Sequence, residues 1–271
     1  MRKRAVVQRL VAGGQLEFVG GGWVQHDEAL PTVGGMLDSM AEGHAWLEET
    51  FSVRPTVGWQ LDPFGHSAAS AALLGRMGLH SLVVNRINYN LKTRWRSART
   101  MEFGWAGVTP VLPWSAVLTH VLHTHYSSPK GFDFEGDRAG GRPDRAATAA
   151  EANGLRALVR QRAEAYRTRE LLLLVGDDFK WLKAPSVYAA WERLIRELNA
   201  RKGGGLRARF SSPATYFAAL ATQLPRLTPP LPTFAGECAA ARTRRRTHRR
   251  GVAAAAAPAA AAACTRRPTR R

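Results

Sequence analysis

Cysteine is nearly missing from this chain. The 271 residues contain two, Cys238 and Cys264, both close to the C-terminal end. Two are too few for a disulfide framework, and their spacing makes no cysteine-based zinc site. The body therefore carries no cysteine evidence about redox compartment. Long apolar runs are missing too, since none reaches the ~20 residues needed to cross a bilayer. Met1-Arg2-Lys3-Arg4 is basic like the start of a signal peptide. Ala5 to Leu10 then lacks the long apolar region and the cleavage signature, so no signal peptide is read.

Acid is what the end of the chain lacks. From residue 239 onward there is no Asp or Glu, but there are ten arginines, at 242, 244, 245, 246, 249, 250, 266, 267, 270 and 271. The formal net charge is +18, and without those ten it is +8. From about residue 224 the composition shifts. Pro225, Pro229, Pro230 and Pro232 come first, then the arginine clusters, then an alanine run over 253–263 broken by Pro258. Such sequence cannot bury a core. The expectation is a body over 1–223 and a disordered tail over 224–271. The tail's charge admits non-specific nucleic-acid binding, but it is attached to no folded recognition motif.

The body has an ordinary core-forming composition, 45% hydrophobic over the whole chain. Its centre is Trp59-Gln60-Leu61-Asp62-Pro63-Phe64-Gly65-His66-Ser67. An apolar run, Thr56 to Trp59, precedes it and a small-residue helix, Ala68 to Leu74, follows. The order is strand, carboxylate, turn, helix. In α/β proteins the carboxyl end of a parallel strand is where catalytic groups usually sit. The competing reading of Asp62 is a helix cap before Pro63.

The same order recurs. Ser81 to Asn85 is a strand that delivers Arg86. Leu171 to Val175 is a continuous apolar run that reads as a strand buried on both faces, and it ends in Gly176-Asp177-Asp178-Phe179. Short strands are also expected at Leu16–Val19 and Arg207–Phe210. Helices are expected over Pro31–Phe51, Ser67–Met77, Glu151–Tyr166, Ser186–Asn199 and from about Pro213. The fold class is α/β: a mostly parallel sheet, or an incomplete β/α barrel, with covering helices.

Other residues invite functional readings that weigh less. His26-Asp27-Glu28 suggests a metal site, but ligands at adjacent positions point apart, and a loop before a helix is preferred. Trp95, Trp105 and Trp114 lie among Lys92, Arg94, Arg96 and Arg99. Such interleaving can bind single-stranded nucleic acid, but a β-rich excursion with inward-packed tryptophans is preferred. His120, His123 and His125 suggest zinc by spacing. On a strand His123 and His125 would share a face and His120 would not, so they read as ordinary polar residues. Asp133, Glu135 and Asp137 read as solvated loop acids.

The Asp62 stretch closely resembles the Asp-Pro-Phe-Gly-His-Ser motif of the zinc-dependent class II α-mannosidases, glycoside hydrolase family 38, which includes lysosomal and Golgi processing enzymes. Further segments match in order: Gly14 to Val19 with Gly21-Gly22-Trp23-Val24 and Asp27-Glu28-Ala29; Asn85 to Tyr89; His125-Tyr126 with Pro129; and Tyr166-Arg167-Thr168 running to Phe179. The match covers roughly residues 5–220.

The resemblance implies a retaining glycosidase that removes terminal α-mannose from glycans, present as part of a catalytic domain. Retaining enzymes hold two carboxyl groups about 5–5.5 Å apart, one as nucleophile and one as acid/base. By resemblance these are Asp62 and Asp178. Asp177 beside Asp178 would favour a held proton. Arg86 resembles an arginine that keeps the nucleophile ionised, and Tyr126, Phe64 and Asp177 are the remaining substrate-binding candidates. The resemblance also implies Zn2+, with Asp62 as a ligand. The family's other three metal ligands, a His-x-Asp pair and a later His, have no counterpart in this sequence.

The chain itself is therefore expected to hydrolyse a chromogenic α-mannoside weakly or not at all. The alternatives are an inactive remnant of the same fold and a nucleic-acid binder working through its tail. Lysosome, vacuole or Golgi is the compartment implied by the family.

Overall fold

The structure is a computed structural model that describes residues 2–106, 116–135, 149–182, 184–200 and 205–239. Trp114, Asp137 and the arginine- and alanine-rich stretch from 240 onward lie outside the described residues. The chain forms two interleaved compact units. The first gathers the described residues up to Val19, then Trp95–Glu102 and His120–Leu231. The second gathers Gly20–Arg94, Phe103–Thr119 and the described residues from Pro232.

The second unit is built on a sheet. Helix α2 (Val33–Phe51) starts where the Thr32 hydroxyl accepts from Gly35 N and stops at Ser52, whose φ of 55° turns the chain out of the helix. Gly43 faces the loop before it, and a Cβ there would stand 2.2 Å from the Gly21 carbonyl oxygen. Only glycine permits that approach. Strand β1 (Val57–Gln60), β2 (Gly65–His66), helix α3 (Ala68–Arg76) and β3 (Ser81–Val84) follow. Helix α4 (Tyr89–Ser97) leads to β4 (Glu102–Trp105) and β5 (Val117–Val121). Near the end come β6 (Thr233–Phe234) and β7 (Cys238–Ala239), past residue 223.

The main sheet has five strands in the order β1-β3-β5-β4-β6, and β2 pairs with β7 in a second sheet. The β1–β3 and β4–β6 pairs are parallel, and β2–β7 is antiparallel. The expected mostly parallel sheet with helices is thus observed. Trp105 packs with Phe103 and Phe234 at centroid separations of 6.0 and 5.9 Å and is buried. Residues 89–97 are helical, which corrects the expected β-rich excursion. The Asn88 carboxamide starts this helix by accepting from the amides of Asn90 and Leu91, at 3.0 and 3.2 Å.

The first unit is mainly helical: α1 (Arg2–Ala12), α5 (Ala149–Ala163), α6 (Ala184–Ala200) and α7 (Pro213–Ala221). Ser212 caps α7 ahead of Pro213 at its first turn. Phe132, Leu155, Trp191, Leu194 and Leu198 form its core where α5 meets α6.

Three expected strands are absent from this unit, each for a visible reason. At Leu16–Val19 the amides of Gln15 and Leu16 turn back to Leu10 O, at 2.8 and 3.2 Å, and finish α1. At Arg207–Phe210 the Asn199 side chain takes both backbone groups of Ala208, at 2.8 and 2.9 Å, in place of a neighbouring strand. Leu171–Val175 is half-buried and extended. Apolar residues on both faces supply burial, but a strand also needs a partner backbone, and no ladder forms here among the described residues.

Candidate active site

In the second unit, parallel pairing decides what reaches the sheet edge. Gln60 is aligned with Val84. Two residues past each strand, Asp62 and Arg86 meet: Arg86 Nε donates to Asp62 Oδ1 at 2.8 Å, and Nη2 lies 2.5 Å from the same oxygen. The guanidinium also sits over the Phe64 ring, 4.8 Å from its centroid. Phe64 is 67% exposed. A carboxylate held by a guanidinium beside an exposed ring is therefore presented to solvent.

The segment before α2 braces this edge from alongside. Gln25 Nε2 donates to Trp59 O at 2.5 Å, and His26 meets Gln60 at 3.2 Å. Burial lowers the His26 pKa, more than the Asp27 charge raises it. Glu28 reaches across to the start of α3, where Oε2 accepts from Ser67 N at 2.7 Å. Burial raises the Glu28 pKa against the Ser67 and Ser70 hydrogen bonds. Its position suits a carboxylate, because a helix N-terminus offers unpaired amides. His66 is buried, and burial takes its pKa to about 4. Its Nε2 has no hydrogen-bond partner.

In the first unit, Asp177 and Asp178 lie on a tight turn. Gly176 takes φ 135°, and Phe179 and Trp181 take 55° and 69°. Ser128 fastens the turn at Gly176: its amide donates to Gly176 O at 2.7 Å, and its Oγ accepts from Gly176 N at 2.8 Å. The Tyr126 hydroxyl donates to Asp178 Oδ1 at 3.4 Å, a long contact. Asp177 accepts from the Asp178 amide at 2.9 Å. The Ser127 hydroxyl, the Asp178 amide and the charges of His125 and Lys180 hold the Asp177 pKa below the usual carboxylate range. His125 Nδ1 lies 3.0 Å from Ser127 Oγ. The structure thus groups Asp62, Arg86 and Phe64 in one unit, and Tyr126, Asp177 and Asp178 in the other.

The histidine reading needs correction on one point. β5 ends at Val121, so His123 and His125 do not lie on a strand. His120 does, and it is buried in a polar network. Its Nδ1 lies 3.2 Å from Glu102 Oε1, which also accepts from the Tyr216 hydroxyl at 2.6 Å. Glu102 Oε2 accepts from Thr168 at 3.0 Å. The Tyr166 ring stacks on His120 at 4.9 Å.

The model of the glycosyl hydrolases family 38 N-terminal domain matches residues 1–237. The chain belongs to glycosyl hydrolase family 38. Mouse alpha-mannosidase 2x is 34% identical over 245 residues, covering 81% of this chain and 21% of that protein. The lysosomal alpha-mannosidase of Dictyostelium discoideum is 34% identical over 221 residues, covering 79% and 22%. The chain therefore spans about a fifth of the length of the curated relatives it matches. A solved alpha-mannosidase from Enterococcus faecalis V583 has the same fold over 88% of this chain and 24% of that one, with a TM-score of 0.61 and 17% identity. No helix among the described residues of this family 38 chain is long and apolar enough to cross a membrane.

Proposed function

We propose that this chain is part of the catalytic domain of a retaining α-mannosidase that removes terminal α-mannose from glycans. The supporting observation is the Asp62 site: a carboxylate past the end of a parallel strand, gripped by Arg86, next to the exposed Phe64 ring. Asp62 serves as the nucleophile that attacks the anomeric carbon. Arg86 holds it as the anion and aims it. Asp178 protonates the leaving oxygen and then activates water, as double displacement requires. The Tyr126 hydroxyl orients Asp178, and Asp177, kept ionised, accepts hydrogen bonds from sugar hydroxyls. Phe64 supplies an apolar face for the ring's C–H groups. One relative, from Dictyostelium discoideum, is named a lysosomal alpha-mannosidase, which supports a lysosomal setting for this reading.

Zinc enters this reading through Asp62 alone. Among the described residues no group of three or more His, Cys, Asp or Glu side chains gathers to hold a metal ion. A zinc centre needs three or four protein ligands. The described residues do not fit one. The second reading is an inactive form of the fold that keeps the Asp62 site without turnover.

The test is hydrolysis of 4-nitrophenyl α-mannoside by the full chain with added zinc, with the anomer of the released sugar followed by NMR. Weak turnover giving α-mannose first supports the proposal. β-Mannose first contradicts the retaining mechanism, and no turnover leaves the second reading.

A further inference from the structure

The first unit holds a group of positive charges that the proposed reaction does not use. Helix α4 ends at Ser97 and α5 at Ala163. The turns beyond them are tied together by Arg99, which donates to Tyr166 O from Nε at 3.1 Å and from Nη2 at 2.7 Å. Backbone bonds of 3.1 Å, from Arg99 N to Arg96 O and from Ala165 N to Arg162 O, place Arg96 and Arg162 one turn back from that joint.

Arg162 is only 9% exposed and Arg96 is half-buried. The Nε of each is shielded from solvent with no hydrogen-bond partner. Neither side chain forms an ion pair with an acid among the described residues. Glu102, whose charge reaches Tyr166, is committed to Tyr216, Thr168 and His120. Burial and the Arg96 charge both pull the Arg162 pKa down, against the Tyr166 hydroxyl.

Buried cations are ordinarily paired, because desolvation without a counter-charge is costly. The carbonyl ends of α4 and α5 attract cations, but a helix terminus offers about half a charge. Among the described residues, two guanidinium groups and a third one turn away therefore remain under-neutralised. Guanidinium N–H groups match the oxygens of a tetrahedral oxyanion in charge and in fork geometry.

We propose that the joined ends of α4 and α5, with Arg96, Arg99 and Arg162 around Tyr166, form a binding site for an oxyanion of the phosphate class. Two sources share that chemistry, free inorganic phosphate and the phosphomonoester of a phosphorylated sugar.

The experiment uses the full chain in a phosphate-free buffer. Thermal melts and 31P linewidths are followed on adding inorganic phosphate or a hexose 6-phosphate, with chloride at matched ionic strength as the reference. The expected result is a saturable rise in melting temperature beyond the chloride effect. Arg162→Met and Arg96→Met should each weaken it at least tenfold, and Arg54→Met, an exposed arginine in the other unit, should leave it intact. Tighter binding of the hexose phosphate assigns the site to a phosphorylated sugar, and equal or weaker binding assigns it to free phosphate. A response no greater than chloride, or one unchanged in both variants, overturns the proposal and leaves only screening of a basic chain. Should Arg162→Met fail to fold, Arg96→Met with the 31P readout decides alone.

Discussion

Asp62 and Arg86 stand 24 residues apart, and so do Gln60 and Val84, the aligned residues of the strands that carry them. The ion pair extends the β1–β3 register past the sheet edge. Two parallel strands thereby fix where a carboxylate and a guanidinium meet.

In the proposed reaction Arg86 serves function more than stability. Its side chain is 32% exposed and that of Asp62 49%, so solvent screens the pair, whose contribution to folding is at most about 1 kcal/mol. Arg86→Met is expected to lower turnover by about 10²–10³-fold, the scale for losing a positioned electrostatic partner. The melting temperature should stay within a few degrees. Steady-state kinetics and a thermal melt on the same samples check this.

His66 should make stability pH-dependent. Burial takes its pKa to about 4, below the ordinary 6.5, so the folded state prefers the neutral ring. The stabilisation is fully present above pH 6.5. It is lost as pH falls through 6.5 towards 4, where the unfolded chain binds the proton first. A shift of that size corresponds to about 3 kcal/mol. Urea unfolding at pH 7 and at pH 4 should show the wild type losing about 3 kcal/mol more than His66→Gln.

Much of the Asp62 site was legible in the sequence because its signals are local. Strand, carboxylate, turn and helix follow one another within residues 56–74, and Arg86 follows the next strand. The Glu28 carboxylate at Ser67 was not legible, because its partner lies 39 residues away and a cap of that kind leaves no spacing pattern. His120 invited a metal reading through neighbouring histidines, yet its partners are Glu102 and Tyr216, 18 and 96 residues distant. Leu171–Val175 reads as a strand in the sequence because hydrophobicity reports burial. Whether a second backbone lies alongside is not written in the run itself.

The Glu102 network supplies a stability prediction. Its carboxylate accepts from Tyr216 and Thr168 and meets His120, all buried. Glu102→Ala removes the buried acceptor that these partners share and is expected to cost about 3–5 kcal/mol. Glu102→Gln, which keeps one carbonyl oxygen, should cost less. Chemical denaturation midpoints order the two, and equal stability of Glu102→Ala and wild type would contradict the network's role.

The most direct test of the account is the turnover of 4-nitrophenyl α-mannoside by the full chain with zinc, compared between wild type and Asp62→Asn at matched melting temperature. If Asp62 is the attacking carboxylate, the wild type shows weak but measurable release of 4-nitrophenol. Asp62→Asn then loses it by about 10³-fold or more, as expected for a reacting group. Release that persists unchanged in Asp62→Asn would contradict the assignment, and a silent wild type would contradict the reading of this chain as an enzyme.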